Sequence, residues 1–390
     1  MGLFSWGKDK TRKASIGLIA IGSGGVEVAV VASGGQIIFS AGKDYIKTAG
    51  DNVAKFSSTI SQTLNNVLSE LQKSPIAKPI EYHCVLPAPL FLNTIRELEI
   101  KKNQPFIIEQ KMIDHLLAES VVNFMAEKEI VSSGLVDDKN RLIENDIYQT
   151  ELNGYRQTNI LGQKVKELKL LQGLSYGSDQ ILKSFEEMIV ATTHAKKIHF
   201  HTFPSTIFKA VDALIGAERD DYLVIDAGGE FTDIVVVHDR APVTHFSFPY
   251  GLNSLGRNLA EQTKTSPTEA ISTLKLYFQN KLTNEARDSF QKVLAGERQK
   301  WLDYFNKAFS AIAEETFIFP QVYLLGDDLS VFFVRDFLND PSLRQLVLNK
   351  NEFHLSTIDS HLKSSSKKIT MFNGRSSFID LVAPIFSPLN

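Results

Sequence analysis

Residues 221–237 read D-Y-L-V-I-D-A-G-G-E-F-T-D-I-V-V-V. The apolar run Leu223, Val224 and Ile225 delivers Asp226 to a strand end, Gly228 and Gly229 make a tight turn, and Asp233 to Val237 returns as a second strand. Such a hairpin suits a phosphate. Bare N–H groups at Gly228 and Gly229 bind phosphate oxygens, the Thr232 hydroxyl adds a donor, and Asp226 is placed to hold Mg²⁺ through its water shell.

The stretch has a partner near the N-terminus. Gly17 to Val31, G-L-I-A-I-G-S-G-G-V-E-V-A-V-V, aligns with Leu223 to Val237 so that Ala20 falls opposite Asp226, Gly22 opposite Gly228, Ser23 opposite Gly229 and Glu27 opposite Asp233. A lone glycine-rich hairpin is ordinary β-structure. Two in register, half a chain apart, imply related domains facing across a cleft, each offering a turn to one nucleotide: Gly22, Ser23 and Gly24 from one side, Asp226, Gly228 and Gly229 from the other.

Composition supports this reading. The chain has 390 residues, 43% hydrophobic, enough for two domains with a sizeable core. Its net charge of −3 disfavours nucleic acid as a partner. The single cysteine, Cys84, excludes an internal disulfide, leaves metal clusters short of ligands and reads as a buried small hydrophobe. His199 and His201 share one strand face near His194, without the carboxylates or cysteines that zinc calls for. No apolar run reaches the ~18 residues of a membrane span, and the expected compartment is the cytosol. Leu3, Phe4 and Trp6, followed by lysines, read as a frayed tail whose alternative is a weak contact with the membrane surface.

Along the chain, periodicity predicts a helix over Ala54–Gln72, a strand Tyr82–Leu86 between prolines, a helix over Ile107–Val122, a loop over Ser132–Asn145, strands at Ile147–Leu152 and Lys164–Tyr176, and a helix from Asp179. These divide the chain into a first domain at 1–80 plus 193–217, an inserted α+β unit at 81–192 and a second domain at 218–390, with a helical part about 264–318. In the second domain Asn253 or Ser254 is expected to cap a helix, and Val322–Leu325, Gly326, Asp327 and a helix from Ser330 form a third strand–turn–helix able to reach the base or ribose. Phe317, Phe319, Phe332, Phe333 and Phe337 read as core, as do Phe378, Leu381 and Val382.

Together these stretches resemble the actin-like ATPase superfamily, in its bacterial branch holding FtsA of cell division and PilM of type IV pilus assembly. V-I-D-A-G-G-E-F-T-D-I looks like the phosphate-2 motif, F-P-Y-G-L-N-S-L-G-R-N-L-A, containing Gly251, like the segment after it, and S-P-T-E-A-I-S-T-L-K like the helix beside the nucleotide. Leu152–Leu168 resembles the inserted SHS2 domain, used for protein partners. The resemblance implies an α/β fold of two actin-like (ribonuclease H-like) domains around a nucleotide cleft with a small SHS2-like insertion. It also implies ATP or ADP with Mg²⁺ as cofactor, Glu269 and Lys275 near the base and ribose, and Gly326 and Asp327 at the third motif.

Departures from the pattern are specific. Ala20 stands where the first motif has an aspartate, and Asp327 and Asp328 follow Gly326 where a second glycine is usual. Loss of one Mg²⁺ holder and a carboxylate facing polyphosphate imply weak or absent hydrolysis. The reading is therefore a cytoplasmic scaffold at the inner face of the membrane. It binds nucleotide in a degenerate site and links a membrane-embedded pilus-assembly or cell-division machine to partners: the cytosolic segment of a membrane protein, a division-ring component, or further copies of itself. The alternative is a sugar-kinase-type phosphotransferase of the same fold, against which stands Ala20, since phosphoryl transfer needs a carboxylate to position the metal and this chain has none in register there.

Overall fold

The computed structural model describes residues 15–45, 53–126, 140–216, 220–310, 320–347, 352–364 and 377–387. The chain begins with strands β1 (Ser15–Ile21), β2 (Gly25–Ala32) and β3 (Ile37–Asp44), then helix α1 (Val53–Lys73) and strand β4 (Glu81–Leu86). Next come β5 (Leu92–Ile107), helix α2 (Gln110–Met125), β6 (Asn140–Leu152), β7 (Tyr155–Arg156) and β8 (Lys164–Ser178). Helix α3 (Asp179–Thr193), strand β9 (Lys197–Thr202) and helix α4 (Phe203–Ile215) close the first half. The second half runs β10 (Tyr222–Asp226), β11 (Thr232–His238), β12 (Ala241–Phe248), α5 (Leu252–Thr263), α6 (Pro267–Phe278), α7 (Asn284–Ser310), β13 (Gln321–Leu325), α8 (Asp328–Leu338), β14 (His354–Thr357), α9 (Ile358–Ser364) and α10 (Ser377–Phe386).

Two five-stranded sheets share one topology. The first has the order β3-β2-β1-β4-β9 and the second β12-β11-β10-β13-β14. In each, a three-strand antiparallel meander is extended by two parallel strands. The chain is thus a structural duplication, and the glycine hairpins β1–β2 and β10–β11 are its equivalent parts.

Apolar spacing fixes what each element buries. Phe56, Ile60, Leu64, Val67 and Leu71 line one face of α1 and are buried against Ile19, Val28 and Val30 of the first sheet, together with Leu182, Phe185 and Ile189 of α3. Each such side chain contributes about 1.5–3 kcal/mol. The Tyr82 ring lies flat on Gly17, where a Cβ would come within 2.1 Å of it, so only glycine keeps β1 and β4 paired at that point. Cys84 is buried in the same core. A second core joins the halves: Leu18 and Val31 from the first sheet, Tyr222, Val235 and Tyr323 from the second, and Ile379, Leu381 and Val382 of α10. Phe378 is half-buried against it, and Phe333 and Phe337 are core of the second half. Phe332 is 38% exposed, while Phe317 and Phe319 lie outside the described residues.

A third sheet, β5-β8-β6-β7, forms the insertion, and α2 sets Ile113 against its Leu168 and Leu170. Its bounds differ from those read in the sequence. Glu81–Leu86 opens no inserted unit but pairs in parallel with β1 and β9, and α3 packs on the first sheet. Residues 92–107 form an edge strand, and the helix expected at 107–122 starts three residues later, at Gln110. The edge tolerates Pro105, which falls in the register break between Lys101 and Phe106. Residues 140–145, expected as loop, begin β6, whereas 127–139 lie outside the described residues.

Polar ties fasten the inserted sheet to the first half. Glu144 accepts from the Thr202 backbone N–H at 3.3 Å and its hydroxyl at 2.5 Å, Lys209 meets Asp146 at 2.8 Å, and Arg141 meets Glu186 at 2.8 Å. Arg156 reaches Asp239 of the second half at 2.8 Å.

Candidate functional site

The hairpin registers coincide. Ala20 pairs with Glu27 across β1 and β2 as Asp226 pairs with Asp233 across β10 and β11. At the first turn the Gly22 N–H donates to Gly25 O at 2.8 Å and the Tyr45 hydroxyl donates to Gly22 O at 2.8 Å. At the second turn the Gly228 N–H donates to Asp226 Oδ1 at 3.0 Å. The two turns touch. A Cβ on Gly229 would lie 2.2 Å from Gly24 N, and the Phe231 N–H donates to Ser23 Oγ at 3.3 Å.

Gly326 and Asp327 join this cluster from β13. Gly326 has φ 130°, and a Cβ there would lie 2.4 Å from Ser330 Oγ and 3.8 Å from Asp226 Oδ1. Asp327 caps α8: its Oδ1 accepts from the Ser330 N–H at 2.8 Å and from the Ser330 hydroxyl at 2.7 Å. The carboxylate expected to face polyphosphate is thus turned onto a helix start. Burial pushes the Asp226 carboxyl up to about 7, with Asp233 and Asp327 adding to the rise against the Gly228 N–H bond. His245 Nε2 lies 3.2 Å from Asp233 Oδ1.

Gly251 is the N-cap of α5, in place of the expected Asn253 or Ser254. A Cβ on Gly251 would sit 2.2 Å from Gly229 O. That approach lets the first amides of α5 grip the turn, Leu252 N–H to Ala227 O at 2.9 Å and Asn253 N–H to Gly229 O at 3.0 Å. The Ser254 hydroxyl is directed at Glu230 instead, and Arg257 clasps the same carboxylate with Nη1 at 2.8 Å and Nη2 at 2.5 Å.

Two predicted contributors are engaged elsewhere. Thr232 is fully buried; its hydroxyl donates to Tyr250 O at 2.5 Å and accepts from Trp301 Nε1 at 3.1 Å, so it points into the domain and away from the cleft. Glu269 closes a capping box at the start of α6, accepting from the Ser266 N–H and hydroxyl at 2.8 Å each, and these bonds lower its pKa. Lys275 is exposed on the same helix. The sequence reading missed Ser330, Glu230 and Arg257; the Asp327-x-x-Ser330 spacing before an apolar helix was the available signal for the first.

The remaining cluster fits a nucleotide phosphate with hydrated Mg²⁺. Gly228 is exposed beside Asp226 Oδ1, 3.4 Å from where its Cβ would stand, and a carboxylate whose proton affinity is raised by burial with Asp233 and Asp327 nearby is a setting a cation relieves. Asp226 would hold the metal's water and the exposed Gly228 would face phosphate oxygens, whereas Gly229 is buried against the first turn. At position 20 the side chain is a buried methyl group, so only one of the two equivalent strand ends carries a carboxylate.

A second concave region lies where the inserted sheet meets the first half. It is lined by Arg141, Glu144, Asp146, His199, His201 and Lys209 among others. His83 stacks against His199 and His201 with ring centroids at 4.9 and 5.2 Å, and its Nδ1 is 2.9 Å from His201 Nε2. Phe386 of α10 covers His83 and His201 at 4.8 and 4.7 Å.

No family model matches the sequence, and no curated protein matches it. Solved structures do. The duplicated sheets and paired turns define an actin-like ATPase fold. A chain of the PilM–PilN type IV pilus biogenesis complex superposes over 87% of this chain and 87% of its own, with TM-score 0.57 and 14% identity. The ethanolamine utilization protein EutJ from Carboxydothermus hydrogenoformans (TM-score 0.43, 12% identity, 87% and 83% covered) is also similar. So is a protein of actin-like ATPase fold and unknown function from Bacteroides thetaiotaomicron (0.40, 9%, 92% and 95%). The fold is PilM-like. Among the described residues, no helix is long and apolar enough to cross a membrane.

Proposed function

We propose that the chain is a PilM-like scaffold at the inner face of a membrane. It holds ATP or ADP with Mg²⁺ at the paired glycine turns and takes up a cytosolic segment of a membrane-embedded pilus-assembly protein in the groove beside the inserted sheet. The groove carries the reading: its part-exposed Arg141, Asp146, His199 and Lys209, two of them paired with each other, line a polar surface that suits an extended polar peptide better than a small apolar ligand. Similarity in fold to a chain from the PilM–PilN complex supports the choice of partner. The site is not built for turnover. Ala20 removes one metal holder, and Glu230 and Asp327 are tied to Arg257 and Ser330.

Two measurements test this. Fluorescence anisotropy with a cytosolic peptide of a pilus inner-membrane protein should show saturable binding that Lys209→Glu weakens at least tenfold; binding to a division-ring peptide instead would move the role to cell division, and binding to neither would sink the scaffold reading. Thermal shift with ATP or ADP plus Mg²⁺ should rise with concentration, while phosphate release stays near background; robust turnover abolished by Asp226→Ala would overturn the non-catalytic assignment.

A further inference from the structure

The paired turns carry a statement about which nucleotide they take, resting on the nucleotide reading above. Each turn packs on the other's backbone: a Cβ on Gly24 would meet Gly229 Cα at 3.1 Å and Gly228 O at 3.4 Å, and one on Gly229 would meet Gly24 N at 2.2 Å and Ser23 Oγ at 2.3 Å. Where a single methyl group meets backbone at these distances, no phosphoryl group fits, since its oxygens need about 2.7–3.0 Å to donors on each side. The Phe231 N–H, which lies between the turns, is taken by Ser23 Oγ and is not free for a phosphate there.

The outward side differs. Gly228 is exposed, with open space apart from Asp226 Oδ1 and Ser330 Oγ, so a phosphate touching the second turn alone is admitted. A further phosphoryl group reaching between the turns has to part them and also brings negative charge toward the carboxylates of Asp226 and Asp327.

We propose that this site prefers a nucleoside diphosphate to the triphosphate, because the Ser23–Phe231 contact and the Gly24–Gly229 packing occupy the place of a bridging phosphoryl group. Ser23 is a specificity residue in this account. Its removal frees the Phe231 N–H and opens the gap, so it changes the ratio of affinities and not only their level.

Isothermal titration of the full chain with ADP·Mg²⁺ and ATP·Mg²⁺ tests it. ADP is expected to bind about tenfold more tightly, and Ser23→Ala is expected to bring the ratio to about threefold or less by improving ATP. Amide hydrogen exchange reads the contact itself, the Phe231 amide exchanging faster in the variant. ATP binding as tightly as ADP, or a ratio that Ser23→Ala leaves unchanged, overturns the preference alone. Absence of binding by both at millimolar concentration overturns the nucleotide reading and this inference with it. Should Ser23→Ala fold poorly, Ser23→Gly carries the same expectations.

Discussion

Trp301 of α7 donates its indole N–H to the Thr232 hydroxyl at 3.1 Å, and through that bond the helical part of the second half is fastened to the returning strand of the phosphate hairpin. Both residues are fully buried. Thr232 passes the interaction on by donating to Tyr250 O. Thr232→Val keeps the shape but strands the indole N–H and the Tyr250 carbonyl, and should cost about 2 kcal/mol. Trp301→Phe, which also loses packing against Phe305 and Phe337, should cost about 3 kcal/mol. Urea denaturation of both singles and the double gives the coupling; a double variant equal to the sum of the singles would show that the bond contributes nothing.

Glu297 repeats the arrangement one turn earlier on α7. Its carboxylate is buried and accepts from the Tyr250 hydroxyl, from Asn258 Nδ2 at 2.8 Å, from Gln262 Nε2 at 2.5 Å and from Lys300 Nζ at 2.8 Å. Burial pushes its pKa up, but the bonds from Lys300, Tyr250 and Asn258 outweigh that and hold it below the usual range. A depressed carboxyl stabilises above the unfolded value near 4.5 and loses its contribution as pH falls through the folded one. Glu297→Ala should destabilise by about 3 kcal/mol at pH 7 and by less at pH 4. An equal loss at both would mean that the charge plays no part.

These two residues also show what could be read in the sequence. The duplicated hairpins were legible because their signal is local: apolar strands, a glycine turn and the Ala20–Asp226 alignment all lie within a few residues, and the structure reproduces that register. The direction of the Thr232 hydroxyl was not, since it is decided by Trp301 on a distant helix. Asp327 was misjudged because a carboxylate after a glycine turn serves a phosphate site or a helix cap equally well until Ser330 is seen to take it. Strand β5 escaped because one of its faces is a solvated ladder, with Lys169 paired to Glu97 and Lys101 to Glu167 beside an edge proline. Its composition therefore carries little apolar alternation.

Asp226 should make the protein more stable in mild acid than in mild base. Its folded pKa is raised by burial to about 7, so folded protein keeps a proton that an unfolded aspartate has already lost. The stabilisation is full below about pH 4 and disappears as pH rises through 7. Asp226→Asn, uncharged throughout, should gain on the wild type as pH rises, reaching on the order of 2 kcal/mol at pH 8. Millimolar Mg²⁺ should reduce that gain by favouring the carboxylate. Urea midpoints at pH 4.5 and 8, with and without Mg²⁺, check it, and a variant less stable than wild type at pH 8 would contradict the assignment.

The histidine column under Phe386 should act in the opposite sense. Burial, reinforced by His199, pushes His83 down to about 4, and burial with His83 and Lys209 pushes His201 down to about 3, while Glu81 pulls His83 upward. An unfolded histidine takes its proton near 6.5, so the folded state binds fewer protons below that pH. Stability is then full above about 6.5 and falls as pH drops toward the folded values, by on the order of 2 kcal/mol per ring. Protonation would place two cations where His83 Nδ1 and His201 Nε2 now stand 2.9 Å apart, beneath the Phe386 ring. Acid should therefore release α10 from β4 and β9 before the molecule unfolds. His201→Gln should flatten the stability profile between pH 6.5 and 4, and hydrogen exchange at residues 378–386 should rise over the same interval in wild type but not in the variant. Exchange there that does not change with pH, beyond the intrinsic chemical rate, would separate α10 from the histidines.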